Sequence, residues 1–217
     1  MNNPTSLIPI LSDKYLLVEP IWEKPIDEIE GPLYQEYIKK NPGYNKLYVR
    51  PEVAKKLQKA AQSLPARYLL VIRAGHRPIE VQHKLLDMVK NSYKKTNPDA
   101  SASEVLEFAR TYVSDPEIKT PPHCCGAAVD VDMIDRQTRF LVDFGCPVNT
   151  DSDISHLNTD KLTKEQKTNR DMLHKAMLGA GFAPFTTEWW HFSYGDDVWA
   201  DFYNKPEAIY GLVEPEV

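Results

Sequence analysis

The chain has 217 residues, 42% of them hydrophobic and 26% charged, which excludes disorder and fibrous repeats. At this length one core forms without help from a disulfide or a metal, so any bound metal is expected to do chemistry. A formal charge of −5 and a pI near 5.7, with no block of like charges, argue against nucleic-acid and anionic-membrane partners and favour a small molecule or peptide.

The longest apolar run, Tyr68 to Ile72, is far short of the roughly 18 residues of a membrane span. The LIPIL stretch before Lys14 is also too short for the apolar core of a secretory signal, so a cytoplasmic location is expected. One domain over residues 1–217 is expected. Within it, residues 1–50 read as an extended wrapping segment punctuated by Pro4, Pro9, Pro20, Pro25, Pro32 and Pro42.

A helix is predicted to start near Pro51, because Val53, Leu57, Ala60, Ala61 and Leu64 form one apolar stripe; Pro65 ends it, and RYLLVIR reads as a strand. After the AGHRP turn, Val81, Leu85, Met88 and Val89 mark a second helix. Ser101 with Glu104 predicts a capping box in front of a third, carried by Val105, Phe108, Ala109 and Tyr112. The AAVDVDM stretch alternates small or apolar residues with Asp130 and Asp132 and reads as a half-buried strand whose polar side faces a cleft. Thr163 with Gln166 opens a long last helix bearing Met172, Leu173, Ala176 and Met177, with Gly179 and Gly181 as its stop, and TTEWWHFSY reads as a final strand. Helices mixed with a few strands, without regular βαβ alternation, predict an α+β domain around a small, mainly antiparallel sheet.

Six histidines are present, and two carry a pattern: His123 precedes Asp130 by seven residues, and His191 follows Glu188 by three. Each pair alone suits a structural hydrogen bond or a surface ion pair. Taken together, His123, Asp130 and His191 supply the two imidazoles and one carboxylate of a catalytic zinc shell, which keeps its fourth position for water. Such a centre carries a net charge of about +1 and remains a Lewis acid. Glu188 is then the candidate general base, provided that a bulge, twist or strand end brings it to the face of His191, since residues three apart oppose each other on a flat strand. Arg77 in AGHRP is the candidate oxyanion partner; pairing with Glu80 is its alternative. Cys124, Cys125 and Cys146 make an odd count without CxxC spacing and read as reduced thiols, and adjacent side chains diverge too far for both to join His123 around one ion.

With H-x6-D, E-x-x-H and the upstream G-x-R-P in one order, the chain from about Tyr68 to Tyr194 resembles the zinc D-Ala-D-Ala peptidases, and most closely their VanX-type dipeptidase branch. AGHRP is similar to the family's DGYRP turn, HCCGAAVD to its HxxGxAxD motif, and NRDMLHKAMLGAGF with EWWHF to its terminal helix and base-bearing strand; Trp189 and Trp190 favour the dipeptidase branch. The resemblance implies one Zn2+ per chain held by His123, Asp130 and His191, with Glu188 as base and Arg77 on the scissile carbonyl. The implied function is hydrolysis of D-Ala-D-Ala or a related short D-amino-acid dipeptide through a metal-bound water. Departures fall where the family recognises substrate. Pro121 replaces a serine, Asn149 stands for an aspartate, and Ala74 and His76 replace Asp and Tyr; neither Pro121 nor Asn149 offers a charge or a hydroxyl to an ammonium group. Two alternatives are a D,D-carboxypeptidase acting on longer wall peptides and a catalytically silent, zinc-stabilised peptide-binding module. Retention of both Glu188 and Arg77 speaks against the latter.

Overall fold

Pro51 occupies the first turn of a helix, where its missing N–H is no loss, and the stripe of Val53, Leu57 and Ala60 behind it is buried. This is one element of a computed structural model that describes residues 8–9, 33–44 and 47–214. In chain order the elements are β1 (Ile8–Pro9), α1 (Leu33–Lys40), β2 (Tyr48–Val49), α2 (Pro51–Ser63), β3 (Tyr68–Ala74), α3 (Ile79–Thr96), α4 (Ala102–Tyr112), β4 (Ala128–Asp135), α5 (Lys164–Ala180), β5 (Ala183–Phe185), β6 (Glu188–Ser193) and α6 (Asp197–Phe202). Short 3-10 turns occupy Pro122–Cys125 and Asp153–Ser155.

The sheet that matters is four-stranded and antiparallel throughout, in the order β3-β4-β6-β5. The expected α+β class with a small antiparallel sheet is thus the observed one. β1 and β2 pair separately. By strand alternation, Val129, Val131 and Met133 of β4 share one face. They join a buried cluster with Val53 and Leu57 of α2 and Leu173, Ala176 and Met177 of α5. Each buried Val, Leu or Met among them contributes about 1.5–3 kcal/mol on burial.

Both predicted capping boxes are formed. Ser101 Oγ accepts from the Glu104 N–H at 3.2 Å while Glu104 accepts from the Ser101 N–H at 2.7 Å, and Thr163 and Gln166 do the same at 3.2 and 2.9 Å. The cap of α5 fixes where the helix begins, and Gly181, at φ 96°, ends it in a left-handed turn that a side chain would strain.

Several expectations need correction. β4 is buried along its whole length, not half-buried, because Asp130 and Asp132 lie under other protein groups. Gly179 lies inside α5 and stops nothing. Most of residues 1–32, where the wrapping segment was expected, lie outside the described residues, and Leu33–Lys40 is a helix that was not foreseen. β5 and α6 were also missed. Edge strand β5 is three residues long and contains Pro184, tolerated where one side of the strand has no partner, and α6 spans six residues, too few for a helical period to register. Among the described residues no helix is long and apolar enough to cross a membrane.

Candidate active site

Asp130 of β4 and His191 of β6 are directly opposed across the sheet, so their side chains leave it on the same face. Asp130 Oδ1 lies 3.0 Å from His191 Nδ1. His123 arrives from outside the sheet. Pro121 and Pro122 stiffen the entry to its turn, the Cys124 N–H bonds back to the Pro121 carbonyl at 2.9 Å, and Gly126 takes the left-handed conformation (φ 68°) that closes the turn before β4. The ring's Nδ1–H donates to the Gly75 carbonyl at 2.7 Å, which leaves Nε2 facing Asp130 Oδ1 at 3.5 Å. The two imidazole rings stand nearly perpendicular, 4.9 Å between centroids.

These donor atoms lie within 4.8 Å of one another, and each residue is at least nine-tenths buried. Ligands at about 2.0–2.2 Å from a tetrahedral zinc are separated by about 3.3 Å, and the two Asp130 distances, 3.5 and 3.0 Å, bracket that value. The donor set therefore fits zinc. Each imidazole also has a polar neighbour at its second nitrogen, the Gly75 carbonyl for His123 and Ser193 Oγ, 3.5 Å from Nε2, for His191, the kind of arrangement that fixes ring orientation at metal sites. Neither buried cysteine belongs to the cluster.

The geometric condition on Glu188 is met by a bulge. β5 and β6 pair Pro184 with Phe192 and then Phe185 with Glu188, so Trp189, Trp190 and His191 are extra residues on the β6 side. The bulged strand turns Glu188 and His191 to one side, with Oε2 3.8 Å from Nδ1. Trp189 and Trp190 are themselves packing residues, 2% exposed, with Trp189 stacked on Phe144 at 4.1 Å.

Burial drives the titration of the cluster and the charges within it modify the outcome. His123 is pushed down by burial and stays neutral, the form that binds metal. For Asp130 burial works the other way, but His123 and His191 outweigh it and hold the carboxyl well below its usual range. For His191 burial is likewise opposed and outweighed, here by the Asp130 hydrogen bond, so its affinity for a proton rises. Burial raises Glu188, against the nearby His191, toward the range useful to a general base. Asp132, on the Asp130 face of β4, is raised by burial to about 6.

Arg77 stands beside the cluster: its charge acts on His123 and Glu188, and its backbone N–H donates to the His123 carbonyl at 3.1 Å. Its Nη1 donates to Gln82 Oε1 at 3.0 Å, and Gln82 Nε2 in turn donates to the Ser114 carbonyl at 2.8 Å. Glu80, the alternative partner for Arg77, instead holds Lys40 and Lys84 at 2.9 and 3.1 Å. Sequence reasoning missed Gln82 and Ser193. A glutamine five positions after Arg77 looks like any helix-surface glutamine until its 2% exposure is known. Among the departures from the resembled pattern, Pro121 and Ala74 are buried and Asn149 is exposed at φ 65°. His76 is fully buried between the Tyr44 hydroxyl at 3.1 Å and the Val213 carbonyl at 2.8 Å.

A family model described as D-ala-D-ala dipeptidase, of the M15 peptidases, matches residues 34–208. A D-alanyl-D-alanine dipeptidase of Synechocystis sp. is 30% identical, the match covering 79% of this chain and 81% of the relative. Another, from Enterococcus faecium, is 24% identical over 73% of this chain and 79% of its own. Among solved structures, VanYB in complex with D-alanine-D-alanine aligns with a TM-score of 0.46 and 17% identity, over 76% of this chain and 81% of that one.

Proposed function

The chain belongs to the M15 family of D-Ala-D-Ala peptidases, a family of zinc metallopeptidases, and on that premise we propose that it is a dipeptidase cleaving D-Ala-D-Ala or a closely related D-amino-acid dipeptide. The observation that carries the reading is the convergence of one donor atom each from His123, Asp130 and His191 within 4.8 Å, with Glu188 Oε2 3.8 Å from His191 Nδ1. One zinc ion per chain would be held by these three residues. When bound, zinc supplies a Lewis acid that polarises the scissile carbonyl and acidifies water.

The protein's part is then positional and protonic. Glu188, half-buried and raised by that burial, takes the proton of the attacking water at its Oε2 and returns it to the leaving amine as the C–N bond breaks. Arg77, with one arm of its fork fixed by Gln82, presents its charge to the oxygen on which negative charge grows. Asp130 lowers the charge of the centre without quenching it. The three cysteines, none of them in a disulfide, suit a reducing compartment and with it a cytoplasmic place of action.

The test is hydrolysis of D-Ala-D-Ala, N-acetyl-D-Ala-D-Ala and L-Ala-L-Ala by purified protein whose zinc content has been measured. Turnover of the free D,D-dipeptide with rejection of the other two is expected. Preference for the acylated peptide makes the protein a carboxypeptidase, and zinc binding without turnover of any peptide makes it a binding module.

A further inference from the structure

Arg170 of α5 is a buried cation that hydrolysis as described does not use. It is 6% exposed, and its guanidinium is spent on main-chain oxygens: Nε donates to the Phe144 carbonyl at 2.8 Å, Nη1 to the His156 carbonyl at 2.9 Å and Nη2 to the Ile154 carbonyl at 2.7 Å. Cys146 Sγ, 3.8 Å from Nη2, is a weak further acceptor. A charge taken out of water is costly unless it is well hydrogen-bonded, and helix packing alone would be served by leucine or methionine. The same end of α5 grips the same stretch of chain elsewhere: Gln166 Nε2 donates to Asp143 Oδ2 and Asn169 Nδ2 to the Asp143 carbonyl, both at 2.9 Å.

The segments that Arg170 gathers meet the chain on both sides of Glu188. Ahead of it, the Leu157 N–H donates to the Thr186 carbonyl at 3.0 Å. Buried Ser155, which sits between the two carbonyls held by Nη1 and Nη2, places its hydroxyl 2.8 Å from the Thr187 carbonyl and 2.7 Å from that of Ser152, its one proton shared between them. After it, the Phe144 ring stacks on Trp189, and the guanidinium carbon of Arg170 lies 5.7 Å from the centre of the same indole ring system. Thr187 and Trp189 are the immediate neighbours of Glu188. In the register of β6, Trp189 and Trp190 face no partner residue in β4 or β5 among the described residues, so ladder bonds alone do not set where Glu188 lies relative to His191.

We propose that Arg170 is a positioning residue for the general base: by holding Phe144, Ile154 and His156 on one guanidinium it clamps the chain on either side of Glu188 and sets where that carboxylate stands beside the metal site. The proposal rests on the role given to Glu188 above. Arg170 acts through Glu188, so its loss must cost turnover only where Glu188 is present to be positioned.

Lysine keeps the charge at this position, but its compact ammonium lacks the planar fork that reaches all of these carbonyls. For Arg170→Lys, kcat on D-Ala-D-Ala is expected to fall about 10- to 100-fold, the scale of a misplacement of about 1 Å, with KM within about threefold of wild type and zinc content unchanged. In a Glu188→Ala background the same substitution is expected to change kcat by less than about twofold, because the group it positions is gone. Ser155→Ala, a smaller change that leaves Arg170 in place, must show the same dependence on Glu188 with a smaller loss, and it carries the test if Arg170→Lys does not fold. An equal fractional loss in both backgrounds marks a purely structural residue and overturns the proposal, as does a rise in KM alone. A Glu188→Ala protein as active as wild type overturns the role of the base itself, and is read before any variant of Arg170 or Ser155.

Discussion

Asp130 Oδ1 is within reach of both imidazoles, 3.0 Å from His191 Nδ1 and 3.5 Å from His123 Nε2, and so stands at the centre of the cluster. Its charge is what raises the affinity of His191 for a proton, while His123 stays neutral. His123→Ala removes one of the three donors of the proposed zinc site and cuts the link to Gly75. We expect substoichiometric zinc by elemental analysis and no measurable hydrolysis, and chelator treatment of wild type should produce the same loss, reversed by added zinc.

Glu188 separates metal binding from turnover. It is not among the three converging donor residues, so on the proposed function Glu188→Ala should retain one zinc per chain while kcat falls by about two to four orders of magnitude, the usual contribution of a general base. Full activity in this variant would falsify the role.

Gln82 should behave as a support for Arg77. Its amide is oriented by the Ser114 carbonyl, which forces Oε1 toward the guanidinium. Gln82→Ala frees that arm of the fork, so kcat is expected to drop about tenfold with zinc content unchanged. Arg77→Ala, which removes the charge itself, should cost about 10²–10³ in kcat. If Gln82→Ala raised KM alone, the side chain would be a substrate contact and not a support.

Much of this was readable from the residues. Caps and stripes announced α2, α4 and α5 because helix signals are local, and the spacing of His123, Asp130, Glu188 and His191 announced the cluster because zinc accepts few donor sets. Other features depended on distant chain. Asp130 and Asp132 read as the cleft-facing side of a half-buried strand, since a carboxylate buried beside two histidines has the same alternation as one lining an open cleft. The bulge that unites Glu188 with His191 is set by the pairing of β6 with a three-residue edge strand, and no residue within EWWHF encodes it. Arg170 reads as an ordinary charged residue of a helix until its guanidinium is seen to be enclosed.

His76 should make stability depend on pH. Its Nε2–H donates to Val213 and burial lowers its pKa from 6.5 to about 4, so over that interval the unfolded chain binds the proton that the folded chain refuses. Stability contributed by neutral His76 is complete above about pH 6.5 and is lost as pH falls toward 4. Between pH 7 and 4.5 the loss is about 2–3 kcal/mol by the pKa-to-free-energy conversion. Urea unfolding of wild type and His76→Gln at the two pH values should show this slope in wild type and a smaller one in the variant; equal slopes would exclude His76 as its source.

The thiols flanking His123 should be inert in the folded protein. Cys124 and Cys125 are 0% and 1% exposed, and burial pushes both up to about 12, so neither supplies the exposed thiolate that oxidants and thiol reagents attack. Cys146 is only partly buried, with its Sγ 3.8 Å from Arg170 Nη2. Titration with a chromogenic disulfide should release one equivalent quickly from native protein, and the remaining two only as fast as the chain unfolds, with hydrolysis unaffected by the first. Three fast equivalents, or activity lost in step with the first, would mean that the turn carrying His123 opens far more readily than its backbone ties to Pro121, Gly126 and Val213 imply.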